Sequence, residues 1–503
     1  MYTVISADIG TTAAKVSLVE RSGEILFTSS HSYPLISEAS RVEQDPLLWW
    51  DAFRKGIKDI YSNQNQITPE ALVLSGQMQD LICISRGEAE GNAILYSDTR
   101  ARGEWIQINR DLGERFFYKT TKNLNDPGSL PCKILWLRNS KSYEIGNETR
   151  ILLGAHDYIC WKLTDRFITD YTNGAATGLM NFESNQWDST ILNYLGLVKE
   201  NLPELISADQ ITGSITAEAS NATGLPAGLP VIHGSGDAGA STIGAGAGVP
   251  GVISCYLGTS GWIAVTGEKT VNPDSGILNL RHPDPSKVIN IGPMLMTGGN
   301  VEWALNTLSG NRKDSIPENS FDTFTREAEK ASPGSGGVFY LPYLVGERSP
   351  FRDPDARGAF IGMGRQTGQP EMFRAVLEGT SYALKSILDV MSSIDQSNKQ
   401  IYLSGGGARD PLWAEILASI TGFTVLIASN ARETGVLGNA VLAGRALGWF
   451  DTYKLPSGFF NIEKEYLPNN ELNKFYAGGM EIFKELYPVL KESFKKTPKW
   501  LNQ

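Results

Sequence analysis

A short glycine-threonine turn occurs twice in this chain, once in each half, and no other feature narrows the possible folds as far. Near the start, the apolar run 2–7 leads into Asp8-Ile9-Gly10-Thr11-Thr12, then Ala13, Ala14, Lys15 and the mainly apolar 16–19. In the second half, 252–257 leads into Gly258-Thr259-Ser260-Gly261 and then 262–265. Each reads as strand, tight turn, strand. Glycine lets backbone approach a ligand closely, and successive N–H groups with hydroxyls form a concave anion cradle. Two such hairpins, one per domain, suit a nucleotide phosphate chain gripped across a cleft, with Gly10, Thr11, Thr12, Thr259 and Ser260 as candidate contacts. One turn alone is simply a turn; the duplication, with Asp8 on the first copy, points to a phosphate site.

At 503 residues the chain exceeds a single core, so two or three domains are expected. The formal charge of -10 lacks the basic footprint of a nucleic-acid binder. Cys83, Cys132, Cys160 and Cys255 lie far apart without metal-ligand spacing, which fits reduced thiols in a cytoplasmic protein. No basic segment precedes an apolar stretch at the start, so no signal peptide is read. Residues 238–267 carry no ionisable side chain apart from Cys255 and Tyr256. The stretch is dominated by small residues and broken at Pro250-Gly251, so a buried helix, a turn and a buried strand are expected, and no membrane span.

Along the chain, strands are expected at 4–7, 71–75 and 151–153. Asp45-Pro46 reads as an N-cap with proline at the first helical position, opening a helix over 47–60. This alternation favours an α/β architecture. A small-residue helix over 238–248 is expected where domains meet, with close helix packing as its plain explanation. The domain boundary falls at 248–251, giving domains 1–248 and 249–503. In the second half, helices are expected over 301–308 and, behind a second Asp-Pro start at Asp410-Pro411, over 412–421. A terminal helix is expected over 470–496.

Several residues carry candidate chemistry. Asp8 ends a buried strand beside the first cradle, where a carboxylate can hold Mg2+ against phosphate oxygens or merely satisfy turn amides. Lys15 can touch phosphate or be a solvated strand lysine. Asp237, in His233-Gly234-Ser235-Gly236-Asp237, stands at a helix start, either as an ordinary N-cap or as a base taking the proton of an attacking hydroxyl. His233 reads as a packed strand-end histidine. Gly405-Gly406-Gly407 is either a strand-to-helix turn or a flat surface for an adenine ring. Gln77-Met78-Gln79-Asp80 and Tyr96-Ser97-Asp98-Thr99-Arg100 follow strands, where open α/β sheets bind ligands, and their polar groups suit a sugar or any exposed loop. Neither a Walker A sequence nor Gly-x-Gly-x-x-Gly follows the first strand, so P-loop and Rossmann readings are poor.

Taken together, these residues resemble the FGGY family of carbohydrate kinases, most closely its xylulokinase branch, over nearly the whole chain. The resemblance lies in the Asp8–Thr12 hairpin, Val42-Glu43-Gln44-Asp45-Pro46, Gly76-Gln77-Met78, Gly234–Asp237 and Leu257–Gly261. It extends to 341–350 with Arg357-Gly358, and to the C-terminal signature from Gly358 to Glu378. Departures are Leu130, where Ser, Thr or Pro is usual, Gln79, where xylulokinases usually have His, and Ala238, where they usually have Asn. Residues 170–179 are also similar to gluconate-kinase relatives.

The resemblance implies an actin-like, duplicated ribonuclease-H-like α/β fold with a catalytic cleft between two domains that close on ATP and sugar. It implies Asp237 as base, Asp8 with Asp237 supporting Mg2+ and phosphate, and Met78, Gln79, Asp98 and Arg100 on the sugar side. Thr259, Gly299 and Gly405–Gly407 would contact ATP. The expected partners are sugar and ATP, with no nucleic acid or membrane, and the family's frequent dimers suggest a homodimer. The expected reaction is phosphorylation of D-xylulose at its terminal hydroxyl. The alternatives are another ketose, a polyol or a sugar acid such as gluconate, or a non-catalytic actin-like ATPase of chaperone type.

Overall fold

The computed structural model describes every residue except 1, 65–66, 141–144, 147, 309–318, 430, 432 and 502–503. The chain divides into two compact units. The first comprises 1–249, 279–289 and 433–460, and the second 250–278, 290–432 and 461–503. The chain first passes from one unit to the other after Val249, and two segments, 279–289 and 433–460, return to the first; the second of them carries the helix Thr434–Ala446, whose apolar side chains are buried there.

The first unit is built on β1 (Thr3–Ile9), β2 (Ala13–Glu20), β3 (Ile25–Ser32), β4 (Ala71–Gly76), β5 (Met78–Ser85), β6 (Arg150–Gly154), β7 (Ile211–Ser214) and β8 (Pro230–Gly236). Its main sheet runs β7-β8-β4-β1-β2-β3, with β1 antiparallel to β2 and parallel to β4. Helices cover both faces, so the central strands are buried along nearly their whole length rather than on alternate residues. Ile5, Ala7 and Ile9 share a core with Trp49, Phe53 and Ile57 of the helix Pro46–Asn63. Val4, Val73 and Ile232 instead meet Val436, Leu437 and Ala440 of the helix Thr434–Ala446. Side chains alternate along a strand, so Asp8 shares the second face with Val4 and Ser6. The helix Pro46–Asn63 starts as expected, with Asp45 Oδ1 accepting from the Leu47 amide at 2.9 Å.

The uncharged stretch forms a six-residue helix, Asp237–Thr242, then a π-helical turn, Ile243–Ala247, ahead of the next strand. Its small residues allow backbone-to-backbone packing on the helix Thr434–Ala446, within the same unit. A Cβ at Gly244 would lie 1.7 Å from Thr434 O, and one at Gly438 would lie 1.8 Å from Ala240 O. No helix among the described residues is long and apolar enough to cross a membrane.

The second sheet, most of it in the second unit, comprises β9 (Ile253–Leu257), β10 (Gly261–Gly267), β11 (Leu278–Arg281), β12 (Val288–Met294), β13 (Gln400–Ser404), β14 (Thr424–Ala428) and β15 (Ile462–Tyr466), in the order β11-β12-β10-β9-β13-β14-β15; β11 apart from Leu278, and the first two residues of β12, belong to the 279–289 segment of the first unit. Here β9 is antiparallel to β10 and parallel to β13. The run β12-β10-β9-β13-β14 repeats the pattern β3-β2-β1-β4-β8, so the internal echo seen in the turns extends to whole sheets. This is the duplicated ribonuclease-H-like α/β fold. The helix Gln369–Val390 is buried along most of its length, and the terminal helix Asn470–Leu501 adds Tyr476, Met480 and Phe483 to that core.

Candidate active site

The first hairpin is a braced turn. The Gly10 amide donates to Ala13 O at 3.1 Å, and Tyr33 Oη donates to Gly10 O. Gln44 Nε2 donates to Thr11 O at 2.7 Å, while Gln44 Oε1 accepts from Trp49 Nε1 and Gln77 Nε2. The 42–46 block therefore props the turn from below. The Thr11 and Thr12 amides donate to no described residue, leaving them free for an anion. Lys15, at the start of β2, pairs with Glu433 at 3.0 Å.

Asp8 is half-buried at the end of β1, with Oδ1 accepting from Ser75 Oγ at 2.8 Å. Asn439 Nδ2 donates to both Ser75 Oγ and Ser6 Oγ, locking that serine in place. A Cβ at Gly435 would stand 3.2 Å from Asp8 Oδ2, so the glycine lets a helix start lie beside the carboxylate. Burial is the main cause that raises Asp8 above the ordinary carboxylate range, and the Ser75 bond opposes it.

Asp237 follows β8 directly, and its Oδ1 accepts from the Ala238 amide at 2.7 Å. Burial first, and then the Asp8 charge, raise its pKa to about 7. Beneath it lies a fully buried frame. Asp170 Oδ1 accepts from the Thr172 and Asn173 amides and from Ser235 Oγ; Oδ2 accepts from the Gly236 amide at 3.2 Å and from His156 Nε2 at 3.1 Å. His233 Nε2 donates to Asp157 Oδ1 at 3.0 Å, so this histidine is packed, as its strand-end position implied. Burial alone would lower the pKa of His156, but Asp157 and Asp170 outweigh it and raise it to about 9. His156, Asp170 and His233 are close enough together to hold an ion, yet each is engaged by hydrogen bonds to protein groups. The cluster fixes the two residues that precede Asp237.

Next to this frame, the Met78 sulfur packs under Gly236, where a Cβ would come within 2.3 Å of it. Gln79 has φ +62°, the left-handed region, and its amide donates to Asn173 Oδ1 at 3.1 Å. Asp98 and Arg100 are held by protein partners. Asp98 Oδ2 accepts from the Val42 amide at 2.6 Å, and Arg100 bonds both Asp98 oxygens and Glu43 Oε1. Asp170, Asn173, His156, Gln44 and Asn439 were not singled out as site residues from the sequence. The segments 170–173 and 42–44 stood out only through the family resemblance, because their roles are to hold other residues.

In the second unit, the other hairpin closes with the Gly258 amide donating to Ser260 O at 2.9 Å. Thr259 and Ser260 are exposed at its tip, and Tyr256 stacks on Trp262 with ring centroids 4.2 Å apart. Thr259 O accepts from the Thr297 and Gly299 amides, which ties the start of the helix Gly298–Leu308 to the turn. The three glycines at 405–407 have different reasons to be glycine. Gly405 has φ +88° against Leu257 backbone, Gly407 packs on Leu257 and Trp413, and Gly406 faces open space. Asp410 caps the next helix, accepting from the Trp413 amide at 3.1 Å.

The N-terminal domain of the FGGY family of carbohydrate kinases matches residues 3–244, and the C-terminal domain of that family matches residues 253–447. A xylulose kinase from Staphylococcus xylosus is 29% identical over 498 residues, covering 97% of this chain and 100% of the relative. A crystal structure of gluconate kinase from Lactobacillus acidophilus matches with a TM-score of 0.91 at 28% identity, covering 99% of both chains. Ligand-bound xylulose kinase from the same organism matches with the same TM-score and identity, covering 99% of this chain and 100% of its own. With both family domains matched across most of its length, the chain belongs to the FGGY family of carbohydrate kinases and is a sugar kinase.

Proposed function

We propose that the chain transfers the γ-phosphoryl group of ATP to the terminal hydroxyl of D-xylulose, giving D-xylulose 5-phosphate, with Asp237 as general base. The observation that carries this reading is Asp237 itself: a half-buried carboxyl whose pKa of about 7 lets it be ionised near neutrality and still accept a proton. The hydroxyl oxygen forms a bond to the γ-phosphorus as Asp237 takes its proton. The bond from that phosphorus to the bridging oxygen breaks, and ADP leaves. The free amides of Thr11 and Thr12, next to Gly10, are assigned to phosphate, as are Thr259 and Ser260 in the second unit. Gly299 and Gly405–Gly407 are assigned to ATP, with Gly406 offering the open surface. Met78 and Gln79 are assigned to the sugar. Asp98 and Arg100 are assigned a supporting role behind it, since Val42 and Glu43 engage them. Lys15 is assigned to its ion pair with Glu433, next to the phosphate turn.

Asp8 and Asp237 suit magnesium. They offer hard carboxylate oxygens, and Asp8 raises the pKa of Asp237, a repulsion that a divalent cation relieves. When bound, the ion would offset the charge of the phosphate oxygens. The reaction is assigned to the cytoplasm, where the four buried free thiols stay reduced. Sugar and ATP are its partners, and a homodimer is the assembly to look for by light scattering.

D-Xylulose is preferred because xylulose kinases match over almost the full chain. The equal likeness to a gluconate kinase favours gluconate as the second reading. A coupled ADP-release screen over ketoses, polyols and sugar acids, with and without magnesium, tests both. Strong stimulation by D-xylulose supports the first reading, and stimulation by gluconate alone replaces it. Sugar-independent turnover would return the chaperone-type ATPase.

A further inference from the structure

Asp80 is the only buried carboxylate among the described residues of the first unit with an oxygen that has no hydrogen-bond partner. Its Oδ1 accepts from the Tyr96 amide at 3.2 Å, and its Oδ2 accepts from nothing. A buried polar atom left without a partner is rare in native proteins and marks a place that a ligand or water completes. Lys133, also without exposed surface, donates to Leu95 O at 2.6 Å and Gln79 O at 3.2 Å, leaving one of its three N–H groups unmatched. Lys133 acts on Asp80 through space without bonding its free oxygen. A buried acceptor and a buried donor therefore stand near each other, unjoined.

Their surroundings point to the acceptor side. Asp80 follows Gln79, whose left-handed backbone is held by Asn173 and whose side-chain amide has no partner among the described residues. Tyr96, 46% exposed, lies within reach of Thr11 and feels the charges of both Asp237 and Asp80. Asp80 in turn feels the charge of Asp237. We propose that Asp80 and Lys133 form a hydroxyl-binding corner of the acceptor subsite, in which one hydroxyl of the sugar donates to Asp80 Oδ2 and accepts from Lys133 Nζ. A hydroxyl does both through one oxygen, whereas a carbonyl leaves an ionised Asp80 unpaired and an ammonium leaves Lys133 unpaired. The corner rests on the sugar-kinase reading and adds a specificity determinant to it, a demand for a hydroxyl at one carbon away from the one phosphorylated.

The test is calorimetric titration of wild type, Asp80→Asn and Lys133→Gln with D-xylulose (or D-gluconate, if the screen selects it) and, separately, with ADP. Each variant is expected to weaken sugar binding about tenfold or more and to leave ADP binding within about twofold, since a polar pocket discriminates strongly against a lost hydrogen-bond partner. One monodeoxy analogue of the sugar should bind wild type comparably weakly and be indifferent to Asp80→Asn. Equal sugar Kd in wild type and Asp80→Asn, whatever their melting temperatures, would mean that an internal water fills the corner, and overturns it. If Asp80→Asn fails to fold, Lys133→Gln and the deoxy series decide: no analogue weakened in wild type overturns the corner. Sugar-stimulated ADP release in wild type with unchanged Kd in the variants overturns the corner and leaves the kinase reading standing. Wild type that neither binds sugar nor responds to it overturns both.

Discussion

A carboxyl group acts as a base only when it is ionised as the substrate arrives, and burial works against that state. Asp237 is raised to about 7 by burial and by Asp8. Turnover should therefore rise with pH and level off above about 7, with the rising limb moved below that value where magnesium relieves the Asp8 repulsion; a kcat that falls as pH increases up to 7 would exclude Asp237 as the base. Asp237→Asn should lower kcat by at least ~10²-fold, the usual scale for a lost general base, with ADP affinity retained. Gln79→Ala should weaken sugar binding more than ADP binding, because Gln79 is held beside Asn173 in the first unit. Equal losses for both ligands in calorimetry would displace it from the sugar site. Asp8, Asp237, Met78 and Gln79 were legible as residue types at strand ends. The buried partners were not: Asp170 matters because of what lies 65 or more residues away in sequence, through its bonds to Ser235 and Gly236, and His156 matters through its bond to Asp170.

Elements fit together here through glycine and alanine as much as through large apolar side chains. The helix Thr434–Ala446 touches the helix Asp237–Thr242 and its π-helical continuation at Gly438 and near Gly244 so closely that no Cβ fits. In an exposed helix, Gly→Ala stabilises by roughly 1 kcal/mol. At this contact the sign should reverse, with Gly438→Ala destabilising by about 1–3 kcal/mol through overpacking. A denaturant titration in which Gly438→Ala matches or exceeds wild type would refute the contact. The small-residue composition of 238–248 showed that close packing was wanted, and the Asp-Pro starts showed where two helices begin. Which helix would be the partner was not readable, since Gly438 lies almost two hundred positions from Ala240. The two hairpins were readable because each strand-turn-strand signal is contained within fewer than twenty neighbouring residues.

At the scale of the whole molecule, the buried ionic frame makes folding depend on pH. The folded-state pKa of His156, about 9, lies above its ordinary value of 6.5. Its protonated form therefore contributes stability that is fully present below about pH 6.5 and is lost as pH rises through about 9, with roughly 3 kcal/mol as an upper bound. Thermal unfolding of wild type and His156→Gln should differ most at pH 6 and converge above pH 9; a gap that widens with pH would contradict the assignment. The sequence alone determined the α/β class, the duplicated turn, the helix starts and the family, because each is written in short motifs whose chemistry acts on near neighbours. The tertiary structure alone decided that 279–289 and 433–460 return to the first unit, that Asp98 and Arg100 bond Val42 and Glu43, and that Asp80 keeps an oxygen unpaired. Those outcomes depend on which distant backbone groups arrive within about 3 Å of a side chain, a distance that hydrogen bonding requires and sequence spacing does not encode.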